Sequence, residues 1–448
     1  MSGSPLFARK FKINLGQYKF SYYNIVKNME DGGWLLFNTK TGAFSVIPSK
    51  VKKLDNKDMV NNFLANGYIV NKDKDELDEV IMSFRKIRED KTIMRLIILP
   101  AEMCNFRCIY CYETFRRIKI FDEVILGIIN FIKRNIATLS ILEISWFGGE
   151  PLLATSRIIE ITKRCQKMAK AYGIRFLSDV TTNGYLLTPK LIKSLIDVGV
   201  IGYQVTIDGP PLIHNRLRKL KNGRGTFEKI WSNLREFKKF DKEFYVVIRT
   251  NFDKNSYVYL NEWIDLYQNE FGKDSRFRLL FRPIFKTGTE RDKQMRFCSF
   301  RESAEIESEI LIKLWEKLEF PRWYFDEVIL SKPKAIYCYG GLPGCFVIGA
   351  DGALWKCTVG LKEEDALGHI KENGDILIDE NKLNEWNKYS ESWIFDDTCR
   401  KCLWLPLCMG GCILSRKYGK KGCYTRFSPL TKVMELYYKN IIVKKGGD

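Results

Sequence analysis

Between Met94 and Pro283 short apolar runs alternate with amphipathic stretches, and this alternation limits the fold more than any other feature of the chain. Arg95–Leu99, Ile141–Phe147, Ile174–Val180, Ile201–Ile207, Phe244–Thr250 and Phe277–Phe281 read as strands. Val124, Ile125, Ile128, Ile129, Ile132 and Ile136 recur at helical spacing after the first of them. Ser156–Tyr172, a helix opening at Thr188-Pro189 and stopping at Gly199, Phe227–Phe237 and Tyr257–Phe271 supply the next crossovers. Six strand–helix alternations call for parallel strands joined by helices. The class is α/β, and six units give a partial barrel, short of the eight of a closed one.

Polar signatures follow the strands. Cys104-Asn-Phe-Arg-Cys108-Ile-Tyr-Cys111 comes after the first, Gly148-Gly149-Glu150-Pro151 after the second and Thr181-Thr182-Asn183-Gly184 after the third. Asp208-Gly209, then Arg249 and Asn251, then Arg282-Pro283 follow the remaining three. In a parallel barrel all these ends converge on one mouth. Single Gly-Gly or Asn-Gly pairs are common in turns, so the coincidence at successive strand ends is the stronger observation. Three thiolates on one tight loop can hold three irons of a [4Fe–4S] cube, and no fourth ligand is near. One iron is then left open for chemistry. Structural zinc also takes closely spaced cysteines, but it closes with four ligands.

The chain has 448 residues, 45% of them hydrophobic, enough for more than one core. No apolar run approaches the ~20 residues of a membrane span, and the N-terminal residues lack a signal-peptide core. Thirteen cysteines without a secretion signal read as metal ligands in a reducing cytoplasm. With only His214 and His369 present, a His-rich metal centre is excluded. The formal charge of +19 favours polyanionic partners such as acidic peptides or nucleic acid, yet its lysines are scattered. Residues 1–92 read as a small α+β, winged-helix-like domain. It has strands either side of Asn38–Gly42, helices at Asp58–Asn66 and Asp75–Arg88, and a strand at Tyr68–Val70. The barrel spans 93–302, a bridging helix region 303–336, a cysteine-rich domain 337–430 and a tail 431–448. The basic run His214–Arg224 could meet an acidic peptide, but reads more readily as a solvated loop.

The loop Cys104–Cys111 with Gly148-Gly149-Glu150 resembles the radical S-adenosylmethionine (SAM) enzymes, over roughly residues 93 to 290. That resemblance implies a cluster whose open iron chelates SAM and splits it into a 5′-deoxyadenosyl radical that abstracts hydrogen. Cys104, Cys108 and Cys111 would be the catalytic cluster ligands. Tyr110 would lie near the adenine, and Gly148, Gly149 and Glu150 near the methionyl amino group. Asn183, Asp208 and Arg249 would contact the ribose and carboxylate of SAM.

Cys338, Cys345, Gly352, Cys357, then Cys399-x2-Cys402-x5-Cys408-x3-Cys412, then Cys423, resemble the SPASM extension of peptide-modifying radical SAM enzymes. This implies two auxiliary [4Fe–4S] clusters, hence three in all. Cys338, Cys345, Cys357 and Cys412 would hold the nearer one; Cys399, Cys402, Cys408 and Cys423 would hold the outer one. A double zinc ribbon is the alternative. Gly352 stands closer to Cys345 than the family spacing asks, so Cys338 or Cys345 is open as a non-ligand. Cys165 and Cys298 read as small buried residues.

The N-terminal domain resembles, more loosely, the leader-recognition elements of ribosomal-peptide maturases, which add a peptide as a strand to a sheet edge. The resulting expectation is a maturase that cross-links a precursor peptide carrying a leader. A thioether is the lead, with carbon–carbon and carbon–oxygen bonds as variants, and flavodoxin or ferredoxin is the electron donor. The alternative is a residue oxidase of the anaerobic sulfatase-maturating kind, against which Thr358 stands where that group carries an aspartate. A nucleic-acid modifier is the third reading, weakened because the aromatics fall in apolar runs rather than among basic residues.

Overall fold

The computed structural model describes residues 16–49, 57–117, 119–286, 290–317, 333–421, 423, 434–436 and 438. The segment after the expected bridging helix, 318–332, and most of the expected tail lie outside them. The chain forms two compact units. One comprises 1–89, 304–341 and 386–448; the other comprises 90–303 and 342–385.

In the first unit, β2 (Asn24–Asn28), β3 (Trp34–Asn38) and β4 (Phe44–Ile47) form an antiparallel sheet. β1 (Tyr18–Phe20) pairs with β5 (Ile69–Asn71), and α1 (Lys57–Ala65) and α2 (Glu76–Glu89) flank them. Trp34, Leu36, Ile47, Phe63 and Tyr68 make one core. The turn after β3 is organised by Asn38, whose side-chain oxygen accepts from the Lys40 and Thr41 amides at 2.9 Å. α2 is anchored through Glu76, which accepts from the Ser21 hydroxyl at 2.6 Å and the Tyr22 amide at 2.8 Å. Its inner face packs Phe84 against the fully buried Trp393.

The second unit carries the expected parallel strands: β6 (Ile93–Ala101), β7 (Ile141–Gly148), β8 (Arg175–Thr182), β9 (Gly202–Thr206), β10 (Tyr245–Phe252) and β11 (Phe277–Pro283). They pair in sequence order, each with the next. The crossovers are α3 (Asp122–Asn135), α4 (Thr155–Ala171), α5 (Pro189–Asp197), the short α6 (Pro211–Leu217), α7 (Phe227–Phe237) and α8 (Leu260–Phe271). Thr188 caps α5 by accepting from the Leu191 amide, with Pro189 inside the first turn. The sheet does not stop at six strands. β12 (Cys345–Ile348) adds parallel to β6, and β13 (Ala353–Trp355), β14 (Gly368–Ile370) and β15 (Ile376–Ile378) extend it antiparallel.

Strand alternation sorts the side chains. Leu96, Ile98, Leu142, Ile144, Val180, Val205, Val246 and Ile248 are fully buried and share one parity. The opposite parity carries polar contacts among its aliphatic residues toward the amino-terminal ends. Arg95 pairs with Glu143 at 3.3 Å, and Ser145 donates to Asp179 at 2.7 Å. Gly202 leaves room there: a Cβ on it would lie 2.5 Å from the Tyr245 hydroxyl and 2.8 Å from the Asp179 Cβ.

Burial raises the Asp179 carboxyl to about 6, against the Ser145 hydrogen bond and the Arg95 charge, with Glu143 adding to the rise. The folded state then holds a proton that the unfolded chain has already lost, so stability falls as pH rises from about 4 to about 6. Asp179→Asn keeps the acceptor for Ser145 and removes this dependence. Its unfolding midpoint in urea is expected to be flat across that window, with a gain of about 3 kcal/mol at neutral pH. An unchanged slope would show the group ionised throughout.

Candidate active site

The site is built at the carboxyl-terminal strand ends of the second unit. After β6 the cysteine loop runs beside residues 217–221. The Arg107 and Ile109 amides donate to the carbonyls of Lys219 and Leu217 at 2.8 and 3.0 Å, and Phe106 bridges to Leu220. Within the loop the Phe106 amide points at the Cys104 sulfur at 3.3 Å and the Cys111 amide at the Cys108 carbonyl at 3.2 Å. Burial raises Cys104 to about 12 and Cys108 to about 11, and raises Cys111 as well. Bare, these thiols stay protonated at neutral pH; bound iron would make them thiolates.

The three sulfurs oppose one another's ionisation. Among the described residues, however, no three His, Cys, Asp or Glu side chains converge on a single metal position. A mononuclear zinc site needs such a point; a cubane takes each sulfur on a separate iron. The donor set fits a [4Fe–4S] cluster of three cysteines.

Gly148 and Gly149 cross directly over the start of this loop. A Cβ on Gly149 would lie 2.4 Å from the Glu102 carbonyl oxygen and 2.6 Å from that of Met103. Gly148 has φ of +117°, where a Cβ would meet the Ala101 carbonyl at 2.5 Å. Glu150 is fully buried. It accepts from the Leu152 amide at 3.0 Å, the Thr182 hydroxyl at 2.7 Å and the Asn183 amide at 2.7 Å, which ties the ends of β7 and β8 together. Asn183 in turn donates to Asn105 at 2.8 Å, so the strand-end residue fastens the cysteine loop.

Tyr110 is the centre of a second network. Its hydroxyl bonds Asp208 and receives Arg218 at 2.7 Å and Asn251 at 3.2 Å. Asp208 also accepts the Asn251 amide at 2.9 Å. Burial raises the Asp208 carboxyl, opposed first by the Arg218 charge. The Asp208 amide donates to His214 Nδ1 at 3.2 Å. Thr226 donates its hydroxyl to the Arg218 carbonyl at 2.8 Å, so His214 Nε2 donates to Thr226 at 3.0 Å. His214 is thus a neutral pillar, held far below its usual range by burial and by Arg218.

The run read as a solvated basic loop is therefore corrected: it opens in α6, and His214 and Arg218 are buried. Their (i, i+4) spacing was the available signal. Arg249 donates through Nε to Asn251 at 2.9 Å. The Nε of Arg218 and Oε1 of Glu113 are buried with no hydrogen-bond partner among the described residues. Such vacant polar valences suit a polar cosubstrate such as SAM, whose chemistry with the cluster would be radical generation.

Of the other cysteines, Cys345 and Cys357 lie in the second unit, and Cys338, Cys399, Cys402, Cys408, Cys412 and Cys423 in the first. Burial raises Cys345 to about 11; Lys356 is the largest opposing influence, while Cys357 adds to the rise. Between Cys408 and Cys412 the residues Met409, Gly410 and Gly411 all have positive φ, a tight reversal. A Cβ on Gly410 would meet the Trp393 ring at 2.6 Å. Arg416 donates to Cys399 at 3.0 Å. Cys165 is buried, as expected, whereas Cys298 is half-buried.

Residues 98–255 match the model of the Radical SAM superfamily. A cysteine-type anaerobic sulfatase-maturating enzyme of Clostridium perfringens is 25% identical over 71% of this chain and 88% of its own length. That of Clostridium novyi is 26% identical over 72% and 88%. The structure of anSMEcpe with bound AdoMet and the Cp18Cys peptide aligns over 79% of this chain and 98% of its own, with TM-score 0.58 and 21% identity. Streptococcus suis SuiB bound to its precursor peptide SuiA aligns over 91% and 98%, with TM-score 0.51 and 14% identity. The cysteine loop under its glycine cradle lies inside residues 98–255, so this chain contains a Radical SAM superfamily domain there, on a half-barrel fold that these structures share.

Proposed function

We propose that the enzyme oxidises a residue of a peptide or protein substrate through a hydrogen atom abstracted by the 5′-deoxyadenosyl radical that bound cluster and SAM supply together. The carrying observation is the three mutually coupled thiols of Cys104, Cys108 and Cys111 beneath Gly148 and Gly149. Arg218, Asp208, Asn251 and Asn183 surround them as orienting groups for SAM. The balance is loss of two hydrogens from the substrate: one goes to 5′-deoxyadenosine, the other leaves as a proton, and one electron passes to an auxiliary cluster. Cys338, Cys345, Cys357 and Cys412, with Cys399, Cys402, Cys408 and Cys423, are proposed to hold two such clusters.

Two outcomes share that balance. The curated relatives, which extend over nearly three quarters of the chain, favour oxidation of a single residue. Thr358, where the sulfatase-maturating pattern has an aspartate, favours a cross-link, a thioether in first place. Peptide capture by the N-terminal domain is supported by a cleft of about 640 Å³ beside β1, lined by Lys19, Phe20, Tyr22, Lys74, Arg400 and Lys401. A low-potential flavodoxin or ferredoxin is the proposed donor.

Anaerobic incubation of candidate peptides with reconstituted enzyme, SAM and dithionite tests the reading. A product lighter by two hydrogens, formed with 5′-deoxyadenosine, is expected. Fragmentation separates a carbonyl on one residue from a bridge between two, and thiol alkylation shows whether cysteine sulfur is consumed. Deoxyadenosine without any change in peptide or protein mass, across both substrate classes, would overturn it.

A further inference from the structure

Two guanidiniums stand at the mouth of the half-barrel with no carboxylate partner among the described residues. Arg249 lies near the end of β10 and Arg282 near the end of β11. The strands pair in parallel, with Arg249 opposite Leu280 and Asn251 opposite Arg282. Residues two apart on a strand share a face, so Arg249, Asn251 and Arg282 lie on one face. Asn251 shows which face that is, because its side-chain amide reaches the Tyr110 hydroxyl at 3.2 Å and Asp208 at 3.1 Å. Arg249 gives its Nε to Asn251, and Arg282 gives Nη1 to the Phe281 carbonyl at 3.2 Å. By contrast, Arg95, Arg117 and Arg276 of the same unit each hold a carboxylate. Burial lowers Arg249 from its ordinary range, and the Arg282 charge adds to that fall against the Tyr112 phenol.

The other cations around the cysteine loop are engaged. Arg107 donates to the carbonyls of Cys104 and Phe106 at 2.7 and 2.6 Å, and Arg291 to that of Cys111 at 2.6 Å. Burial raises the Cys111 thiol, and Arg291 and Arg218 are the charges that oppose the rise. Those two answer the cluster, which leaves Arg249 and Arg282 for other anions. SAM brings one carboxylate. Two like charges on neighbouring strands call for a second. β11 is also the last strand on its side of the sheet, so Arg282 stands at the open edge of the half-barrel.

We propose that Arg282 receives a carboxylate of the peptide or protein substrate, on an aspartate or glutamate side chain or at a chain end, while Arg249 takes that of SAM. This deepens the proposed function and rests on it: the residue that loses hydrogen has an acidic group close by. A planar guanidinium forks both oxygens of a carboxylate, so the contact orients the substrate as well as holding it.

The test uses the full-length reconstituted holoenzyme, SAM and a pooled library of peptides of about ten residues, each with a central cysteine or serine. Every sequence is made with Asp or Glu and with the matching Asn or Gln, as free acid and as C-terminal amide. Anaerobic ultrafiltration with mass spectrometry reads retention, and products lighter by two hydrogens are counted after dithionite is added. Carboxylate-bearing members are expected to be retained at least about tenfold better than their uncharged twins, the worth of one charge-assisted contact. The amide and free-acid forms separate a side-chain source from a chain end. Arg282→Gln is expected to bring the ratio below about twofold, with iron content and the SAM dissociation constant close to those of the parent. Arg282→Met serves if the amide variant loses its iron.

Equal retention of acidic and uncharged peptides overturns the inference. So does an acid preference that survives both variants, which would belong to the general pull of a chain of charge +19. Loss of SAM binding or of iron in both variants overturns it too, since Arg282 would then serve SAM or the fold. Retention governed by Arg282 without any lighter product leaves the anion site standing and counts against the oxidation reading. Lighter products formed equally from acidic and uncharged peptides overturn the anion site alone.

Discussion

Replacing Cys104, Cys108 and Cys111 by alanine is expected to take 5′-deoxyadenosine formation to the uncatalysed background while iron falls only from about twelve to about eight per chain. The reason lies in how the loop is placed. Cys108 is buried and Cys104 and Cys111 are half-buried beside it, and desolvation raises all three thiols above their ordinary range. The glycine pair above them approaches within a carbonyl contact that no side chain tolerates. Iron that falls to zero would mean that the auxiliary cysteines hold none. Deoxyadenosine formed at the original rate would remove the radical site itself. Iron analysis and liquid chromatography of anaerobic reactions read the two quantities separately.

The second large effect is on stability. Arg218→Met is expected to destabilise the barrel unit by about 3–5 kcal/mol, the usual cost of leaving a buried charge without its partner. Arg218 reaches Tyr110 at 2.7 Å, and Tyr110 bonds Asp208, so the guanidinium compensates a fully buried carboxyl through one hydroxyl. The double variant with Asp208→Asn should cost clearly less than the sum of the single ones, because the charge and its counter-charge leave together. Additive losses in a denaturation cycle would show that the two groups do not sense each other. The expectation carries over to SAM. A variant that has lost Arg218 but still folds should bind SAM more weakly with its iron count unchanged.

The half-barrel was legible because its signals are local. Apolar runs of strand length, helical spacing after Val124 and the Thr188-Pro189 and Gly199 caps each express a preference within a few residues. Helix Phe227–Phe237 stands where the spacing put it, and the strands shift by a residue or two at their ends. The cysteine loop was legible for the same reason, since a ligand set closed within eight residues is written in sequence.

His214 and Arg218 were not. A run of basic residues looks the same whether it faces water or a buried carboxyl. Only the return of the chain from β9 through α6, against the cysteine loop, turns that charge inward. The role of Glu150 was also beyond the sequence. Its carboxylate closes three hydrogen bonds to residues up to 33 positions away, an arrangement that exists only once β7 and β8 are side by side.

The sequence by itself determined the parallel half-barrel and the place of its three-cysteine loop, because periodicity and spacing are properties of neighbours. The tertiary structure alone decided that Arg218 faces Tyr110 and that β12 joins the barrel sheet beside β6. Those contacts close over long stretches of chain, and the balance of burial against charge that fixes them has no counterpart in local sequence.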